Sequence, residues 1–275
     1  MTKTPEELLT EAKAWWTTGI IDIHPGKISV RGFPIQDLIG RISFPQMIWL
    51  MLRGDLPSLE QGRLLEAALV ASVDHGPQAP SIAIARMAAT TGVDLNNAMA
   101  SAINVLGDVH GGAGQQCMEL YDAIARHPRS AEDLGGAVDE VLAAYVAEHG
   151  KIIPGFGHRF HPVDPRCAPL FARIEEAQKV GAVSGRFAEI SKAVEAGIQR
   201  RTGKPIPMNI DGVTAVIFSE LGFPAPLGRG LFILSRSVGV LAHAWEEMSH
   251  GARLKGPMPK SIPYTYYGPD ARKPD

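Results

Sequence analysis

The chain has 275 residues, 45% of them hydrophobic, and a formal net charge of −2. This length allows one large domain or two smaller ones with a buried core, and nothing in the balanced charge indicates nucleic acid or an anionic membrane surface as a bulk partner. The two cysteines, Cys117 and Cys167, are too few for a disulfide framework, so we expect a reducing compartment.

The N-terminal sequence favours a soluble cytoplasmic protein. The first sixteen residues, MTKTPEELLTEAKAWW, are polar and acidic and lack the apolar core of a signal peptide. No apolar run reaches the roughly 18 residues that would indicate a membrane span. We therefore predict a cytoplasmic location and no membrane partner.

Helices dominate the predicted elements. Thr4-Pro5-Glu6-Glu7 has the form of a capping box that starts the first helix, and a ragged hairpin follows over Ile20–His24 and Lys27–Phe33. Apolar spacing and breaker residues then predict, in order, helices over Pro34–Leu52, Ser58–Val73, Pro80–Thr91, Leu95–Leu106, Ala113–Arg126, Ser130–His149, Pro165–Val180, Ser184–Arg200, Asn209–Gly222 and Leu227–His250. The remainder, Leu254–Asp275, is predicted as an extended arm. Convincing strands are nearly absent, so the predicted class is all-α.

The segment Lys151–Arg166, with the sequence KIIPGFGHRFHPVDPR, differs most from the helical pattern. We predict that its Gly155 and Gly157 backbone approaches a coenzyme, while His158 and Arg166 bind a polycarboxylate. Arg166 would be the second residue of a helix capped by Asp164, where its guanidinium and the helix N-terminus could both face a carboxylate. An ordinary turn is the alternative.

Four further polar residues are candidates for a site, and each has a structural alternative. His75 follows Asp74 at a helix end, which is also typical of a solvated terminus. His110 precedes two glycines that would let a substrate approach, so its imidazole could donate to an oxyanion, or it is a structural histidine. Asp211 could be a catalytic acid or base, or simply a helix N-cap. Arg236 interrupts an apolar helix and needs a tertiary partner or a bound anion.

A metal site is the weaker alternative for the remaining histidines. Two pairs on the last helix have His and Glu at i,i+3, namely His243 with Glu246 and Glu247 with His250. That spacing suits a carboxylate-bridged metal only when other helices supply matching acids, and no HExxH or cysteine support is present. We interpret these pairs as a solvated face and predict no metal.

Five blocks in order over most of the chain resemble the citrate synthase superfamily. They are Val30-Arg31-Gly32-Phe33-Pro34-Ile35, His110-Gly-Gly-Ala, Gly155-Phe-Gly-His158-Arg with Asp164-Pro-Arg166, Asn209-Ile-Asp211-Gly, and Leu234-Ser-Arg236-Ser-Val-Gly-Val-Leu-Ala-His. One such block is weak evidence, whereas five in the same order are specific.

The resemblance implies roles for the candidate residues. His110 would hold the thioester oxygen of the acetyl-CoA enol, Asp211 would move the proton on its methyl carbon, and His158 would serve the carbonyl or hydroxyl oxygen of the four-carbon acid. Carboxylates or the neighbouring oxygen would bind to His75, Arg166 and Arg236. The coenzyme would meet the backbone of Pro154, Gly155, Phe156 and Gly157. Coenzyme A would enter as part of the substrate, with no tightly bound cofactor.

Departures from the family pattern indicate a lyase. Asp74-His75-Gly76-Pro77, Asn-Ile-Asp-Gly and Arg253-Leu254-Lys255 look more like stand-alone citryl-CoA lyases and the citryl-CoA lyase module of ATP-citrate lyase. Authentic citrate synthases are longer, and the arginine that their partner subunit supplies is missing near Gly256-Pro257, where Arg253 or Lys255 could replace it. The retained His110 keeps a citrate or 2-methylcitrate synthase as the alternative. A non-catalytic CoA or dicarboxylate sensor is a remote third hypothesis.

The resemblance also implies the architecture and the partners. We expect a large helical domain formed by residues 1–111 and 223–275 and a smaller inserted helical domain formed by residues 112–222, with CoA and the acid in a cleft that closes on them. The ligands would be acetyl-CoA or citryl-CoA and oxaloacetate or citrate. A homodimer is expected, with Pro80–Leu106 at its interface, and a higher oligomer stays open.

Overall fold

The computed structural model describes residues 3–158 and 161–274, and helix predominates in it. In chain order the elements are α1 (Pro5–Trp15), β1 (Ile21–His24), β2 (Lys27–Val30), β3 (Phe33–Pro34), α2 (Ile35–Leu38), α3 (Phe44–Arg53), α4 (Leu59–Ser72), α5 (Pro80–Ala89), α6 (Leu95–Ile103), α7 (Ala113–Arg126), α8 (Leu134–His149), α9 (Cys167–Lys179), α10 (Arg186–Thr202), α11 (Ile210–Glu220) and α12 (Ala225–Ser249). This confirms the all-α class. Within the two described ranges, no helix combines the length and the apolar character that crossing a membrane requires.

The predicted hairpin is present as the first two strands of a small antiparallel sheet. Its order is β1-β2-β3, with Ile21 opposite Val30 and His24 opposite Lys27. Pro25-Gly26 makes the turn, where Gly26 has a φ of +76°. This sheet is a short addition to an otherwise helical chain.

The single helix predicted over Pro34–Leu52 is wrong, because the structure divides it into α2 and α3. Gly40 adopts a φ of +76° after α2, a conformation that favours glycine and ends a helix. Ser43 then starts α3 with a reciprocal capping box, in which its hydroxyl accepts from Gln46 N and Gln46 Oε1 accepts from Ser43 N. The apolar spacing continued through the break and hid it.

Two predicted helix starts also lie a few residues too early. The N-cap of α8 is Asp133, whose Oδ1 accepts from Gly136 N at 2.8 Å, rather than Ser130. Ser130 is buried and its hydroxyl accepts from Arg186 Nη2 at 3.0 Å. α9 begins at Cys167, so Arg166 precedes the helix instead of being its second residue.

Contacts divide the chain into two compact units. The first comprises the described residues of Met1–Ala71 with Ala113–Gly228, and the second comprises Ser72–Gly112 with the described residues of Arg229–Asp275. The resemblance predicts two domains, formed by residues 1–111 with 223–275 and by residues 112–222. They stay a prediction, because the two compact units are defined by contacts and not by movement as domains.

Each unit has its own buried core. In the first, α11 packs against α7 and α10, and its residues Gly212–Ser219 are all buried. In the second, α5, α6 and α12 meet through mostly small side chains, namely Ile82, Ala85, Ala89, Ala98, Ala102, Val240 and Ala244. Small side chains at a contact let helix axes approach closely.

Candidate functional site

In the first unit, the Gly-Phe-Gly turn is hydrogen-bonded to the segment that precedes α11. Gly157 N donates to Pro207 O at 2.8 Å, and Asn209 N donates to Gly155 O at 2.9 Å. The Asn209 side chain also donates from Nδ2 to Gly157 O at 2.6 Å. The turn predicted to meet the coenzyme is therefore fixed to the start of the helix that carries Asp211.

Glycines are required where these two segments touch. Gly155 has a φ of +83°, and a Cβ added there would lie 2.6 Å from Cys117 Sγ and 2.7 Å from Gly212 Cα. A Cβ added at Gly212 would in turn meet Gly155 O and, at 2.5 Å, Met208 Cγ. The two glycines allow a backbone approach that no other residue permits.

The close approach yields a stability prediction. We expect Gly155→Ala to lower the free energy of unfolding by about 2–4 kcal/mol, since the Cβ would strain both the backbone and the packing against Cys117. Gly203→Ala is the matched control, because Gly203 has a left-handed backbone (φ +70°, ψ +6°) with nothing within 4 Å of the added Cβ. It should cost only about 1 kcal/mol. Urea unfolding measures both, and equal losses would contradict the packing argument.

Asp211 is the second residue of α11 and is not its N-cap. The cap is Asn209, whose Oδ1 accepts from Asp211 N at 2.9 Å and from Gly212 N at 3.3 Å. Asn209, and not Asp211, is therefore the N-cap of α11. Asp211 is half-buried in the first turn, where the helix dipole favours its carboxylate.

Arg166 is paired with Asp164, and this pair was not predicted. Arg166 Nε donates to Asp164 Oδ1 at 2.9 Å and Nη2 donates to Oδ2 at 2.8 Å. Burial alone would raise the pKa of Asp164, but these bonds and the Ile210 N–H, which donates to Oδ2 at 3.0 Å, lower it to about 2. The carboxylate thus connects Arg166 to the start of α11.

His158 accepts a backbone hydrogen bond on one ring nitrogen. His161 N donates to His158 Nδ1 at 3.0 Å, and the two rings lie 4.6 Å apart. The neutral ring therefore carries its proton on Nε2. Burial, followed by the charge of His161, lowers the pKa of His158. Arg159, which continues the predicted Gly-Phe-Gly-His-Arg block, lies outside the described residues.

A cavity of about 660 Å³ lies in the same unit. Its walls include Ile153 and Phe156 from the turn segment and Ile198 from α10. Two cations, Lys151 and Arg201, also line it. An apolar cavity with two lining cations suits a ligand that is part apolar and part anionic.

In the second unit, His110 lies after α6 and contacts the N-terminus of α5. Ser81 N donates to His110 Nε2 at 3.1 Å, and Ser81 Oγ lies 3.0 Å from the same atom. The neutral imidazole therefore carries its proton on Nδ1. Burial, and then the charge of Arg236, lowers the pKa of His110. A neutral histidine with an Nδ1 proton is a hydrogen-bond donor, as an oxyanion site requires.

Arg236 is buried on α12, with an exposure of 5%. Its Nε donates to Ser72 O at 3.3 Å, and its guanidinium carbon lies 4.9 Å from the centre of the Phe232 ring. A guanidinium can donate two parallel hydrogen bonds to a carboxylate, so Arg236 stays a candidate for carboxylate binding.

His75 is exposed and lies in the segment between α4 and α5. Its neighbour Asp74 accepts at Oδ2 from Gly76 N at 3.0 Å and from His243 Nε2 at 3.4 Å. Although burial acts to raise the pKa of Asp74, these hydrogen bonds lower it. The backbone on both sides of His75 is therefore tied to an ionised carboxylate.

The structure distinguishes the two candidates for the missing arginine. Lys255 is paired with buried Glu247, with 2.8 Å between Nζ and Oε1. Arg253 is exposed and lines a cavity of about 540 Å³ that also involves Thr91 and Asp94. The charge of Lys255 is thus engaged, and Arg253 is the better candidate.

The guanidinium of Arg86 is bound to one of the His–Glu pairs that were considered as metal ligands. Arg86 Nη1 donates to His243 Nδ1 at 2.9 Å and to Glu246 Oε2 at 2.6 Å. A guanidinium among the ligands opposes a second cation by repulsion. Among the described residues, no group of three or more His, Cys, Asp and Glu side chains is arranged to hold a metal ion. The absence of a resident metal stays a prediction.

Several contacts that hold the candidate residues were not predicted from the sequence. Asn209 and Asp164 had a local signal, because each is an N-cap type of residue beside a predicted helix start. Ser81 and His243 had no local signal. Ser81 lies 29 positions from its contact His110, and His243 lies 169 positions from its contact Asp74. Tertiary packing brings these residues together.

Three comparisons give the family. The family model "Citrate synthase, C-terminal domain" matches residues 60–257. The citrate synthase of Haloferax volcanii is 32% identical over 199 residues, which are 72% of this chain and 49% of that protein. The chain therefore spans about half the length of the curated relatives it matches.

Solved structures agree with this assignment. Citryl-CoA lyase from Hydrogenobacter thermophilus is 32% identical with a TM-score of 0.82, and the match covers 94% of this chain and 96% of that one. Thermoplasma acidophilum citrate synthase, solved with carboxymethyl coenzyme A and oxaloacetate, is 25% identical with a TM-score of 0.69, covering 84% and 58%. The matched residues, 60–257, are most of the chain, which therefore belongs to the citrate synthase superfamily of enzymes.

Proposed function

We propose that the chain cleaves citryl-CoA to acetyl-CoA and oxaloacetate. The observation that carries the proposal is the likeness to the Hydrogenobacter thermophilus citryl-CoA lyase, which extends over nearly the whole of both chains.

The proposed cleavage uses three residues. His158 takes the hydroxyl proton of citryl-CoA, the carbon–carbon bond breaks, and its electron pair forms the enolate of acetyl-CoA while the hydroxyl carbon becomes the ketone of oxaloacetate. His110 donates from Nδ1 to the enolate oxygen. Asp211, protonated for this step, gives its proton to the methylene carbon and so forms the methyl group.

Coenzyme recognition is proposed for the 660 Å³ cavity and the turn beside it. The backbone of Pro154–Gly157 would bind the coenzyme, and the charges of Lys151 and Arg201 suit its phosphates. Arg166, Arg236, His75 and Arg253 are proposed to bind the carboxylates or the neighbouring oxygen. Arg166 would bind through the N–H groups that donate neither to Asp164 nor, from Nη1 at 3.4 Å, to Ala71 O.

A second candidate is the condensation of an acyl-CoA with oxaloacetate and hydrolysis to free CoA. The observation that favours it is the hydrogen bond from His161 N to His158 Nδ1, because it leaves the proton on Nε2. A proton there suits donation to the ketone oxygen of oxaloacetate. To act as the base in cleavage, His158 would have to move that proton to Nδ1 and give up the bond to His161.

One assay separates these hypotheses. Purified protein is given citryl-CoA in one reaction and acetyl-CoA or propionyl-CoA with oxaloacetate in another, while free thiol is followed with a chromogenic reagent. We expect oxaloacetate from citryl-CoA without free CoA. Rapid release of CoA from the second mixture would replace the lyase by a synthase. Tight coenzyme binding with no turnover of any substrate would favour the sensor. A homodimer and a cytoplasmic location stay predictions.

A further inference from the structure

We propose that His243 is a positioning residue, which holds Asp74 and through it fixes His75 for substrate binding. The inference rests on the proposed function, because it takes His75 to bind an oxygen of the substrate. In this proposal His243, on α12, touches no reacting atom. It determines the position of His75, which contacts the substrate.

One face of α12 holds the segment that leads to His75. Arg236, Gly239 and His243 lie at i, i+3 and i+7 and therefore share a face. Arg236 donates to Ser72 O, as described above. At Gly239 an added Cβ would meet Val73 O and lie 3.0 Å from Asp74 Oδ1. His243 Nε2 lies 3.4 Å from Asp74 Oδ2, so three successive residues, Ser72 to Asp74, contact this helix face.

Arg86 fixes the proton on the His243 ring. An arginine side chain can only donate, so the bond from Arg86 Nη1 makes His243 Nδ1 an acceptor. The neutral ring then has its proton on Nε2 and donates it to Asp74. Because the same Asp74 oxygen also accepts from Gly76 N, the contact fixes the backbone on both sides of His75.

Ion pairs hold Arg86 in turn. Its Nη1 and Nη2 lie 2.6 Å from Glu246 Oε2 and from Glu247 Oε2, respectively. Glu247 is 2% exposed and also binds Lys255. Such a cluster could serve folding alone, so a test must separate the positioning of His75 from general stability.

Two amide substitutions separate the two ring nitrogens of His243. His243→Gln puts an amide near the position of Nε2 and can still donate to Asp74. His243→Asn reaches only the position of Nδ1, so it can accept from Arg86 but cannot reach Asp74. We expect the Asn variant to raise KM for citryl-CoA about tenfold with kcat within about twofold, and the Gln variant to stay within about twofold of the native KM. His250→Asn, one residue past the end of α12, is the control, and its kinetics should not change.

The kinetics and stability of the two variants show whether His243 positions His75 or only supports folding. If both variants lowered kcat and raised KM to the same extent, and both lowered Tm, His243 would serve folding only. An unchanged KM in the Asn variant would lead to the same conclusion. If the native protein does not cleave citryl-CoA, the proposed function fails, and amide hydrogen exchange of the segment 74–76 decides the inference separately. Faster exchange in the Asn variant alone would support it, and unchanged exchange would overturn it.

Discussion

Replacing Asp211 by asparagine is expected to slow the turnover of citryl-CoA by about 10²–10⁴-fold, the usual loss when a general acid or base is removed. The amide has nearly the shape of the carboxylate but cannot exchange a proton with the methyl carbon of acetyl-CoA. Exchange of acetyl-CoA methyl protons with deuterated water, followed by NMR in the presence of oxaloacetate, measures that step directly. It should be lost in the variant.

The neighbouring cap provides the control for Asp211. Because the Asn209 side chain accepts from the first N–H groups of α11, Asn209→Ala should lower the free energy of unfolding by about 1 kcal/mol or more. Asp211→Asn should lower stability by no more than about 1 kcal/mol, the usual contribution of a carboxylate in the first turn of a helix. If Asp211→Asn retained full turnover while lowering stability, its role would be structural and the proposed mechanism would lose its acid.

Removing the His158 side chain is expected to have an effect of similar size. His158→Ala should reduce turnover by about 10²–10⁴-fold in either direction of the reaction, because the oxygen of the four-carbon acid would lose its proton donor or acceptor. Steady-state kinetics with citryl-CoA, and separately with acetyl-CoA and oxaloacetate, give both values. Substrate-free His158 should also show a protonated Nε2 and an unprotonated Nδ1 in ¹⁵N NMR spectra.

His161→Ala serves as the comparison for His158. Its backbone N–H, which donates to His158 Nδ1, remains in this variant. Turnover should therefore fall by less than about threefold, although the contact between the rings is lost. A loss as large as that of His158→Ala would move the chemistry to His161, and an active His158→Ala would remove this histidine from the mechanism.

Local signals sufficed for much of the fold. The Thr4 capping box and the Pro25-Gly26 turn lie within a few residues of the structure they determine, so the sequence predicted them. The break between α2 and α3 was missed because Ile39 and Ile42 continue the apolar spacing through it. The capping box at Ser43 is an equally local signal that the spacing concealed.

The sequence was enough to select the candidate residues, but it did not predict most of the groups to which they are hydrogen-bonded. His110, His158 and Asp211 could be selected because each adjoins a glycine in a short polar segment. Their protonation depends on groups distant in sequence or on backbone atoms, such as Ser81 N for His110. Neither ring tautomer can be derived from the sequence, since both follow from hydrogen bonds that exist only in the folded chain.

The buried pair of Asp164 and Arg166 has a consequence for unfolding in acid. A carboxyl group with a pKa of about 2 when folded and 3.8 in its reference state binds its proton more readily in the unfolded chain. It contributes about 2 kcal/mol to stability above pH 4, and this contribution is lost as the pH falls from about 4 to about 2. In that interval ordinary carboxylates are already becoming protonated, while the loop around Arg166 keeps its ion pair. Molecules that remain folded therefore keep Arg166 in place at the proposed carboxylate-binding site, although fewer molecules remain folded as this contribution is lost.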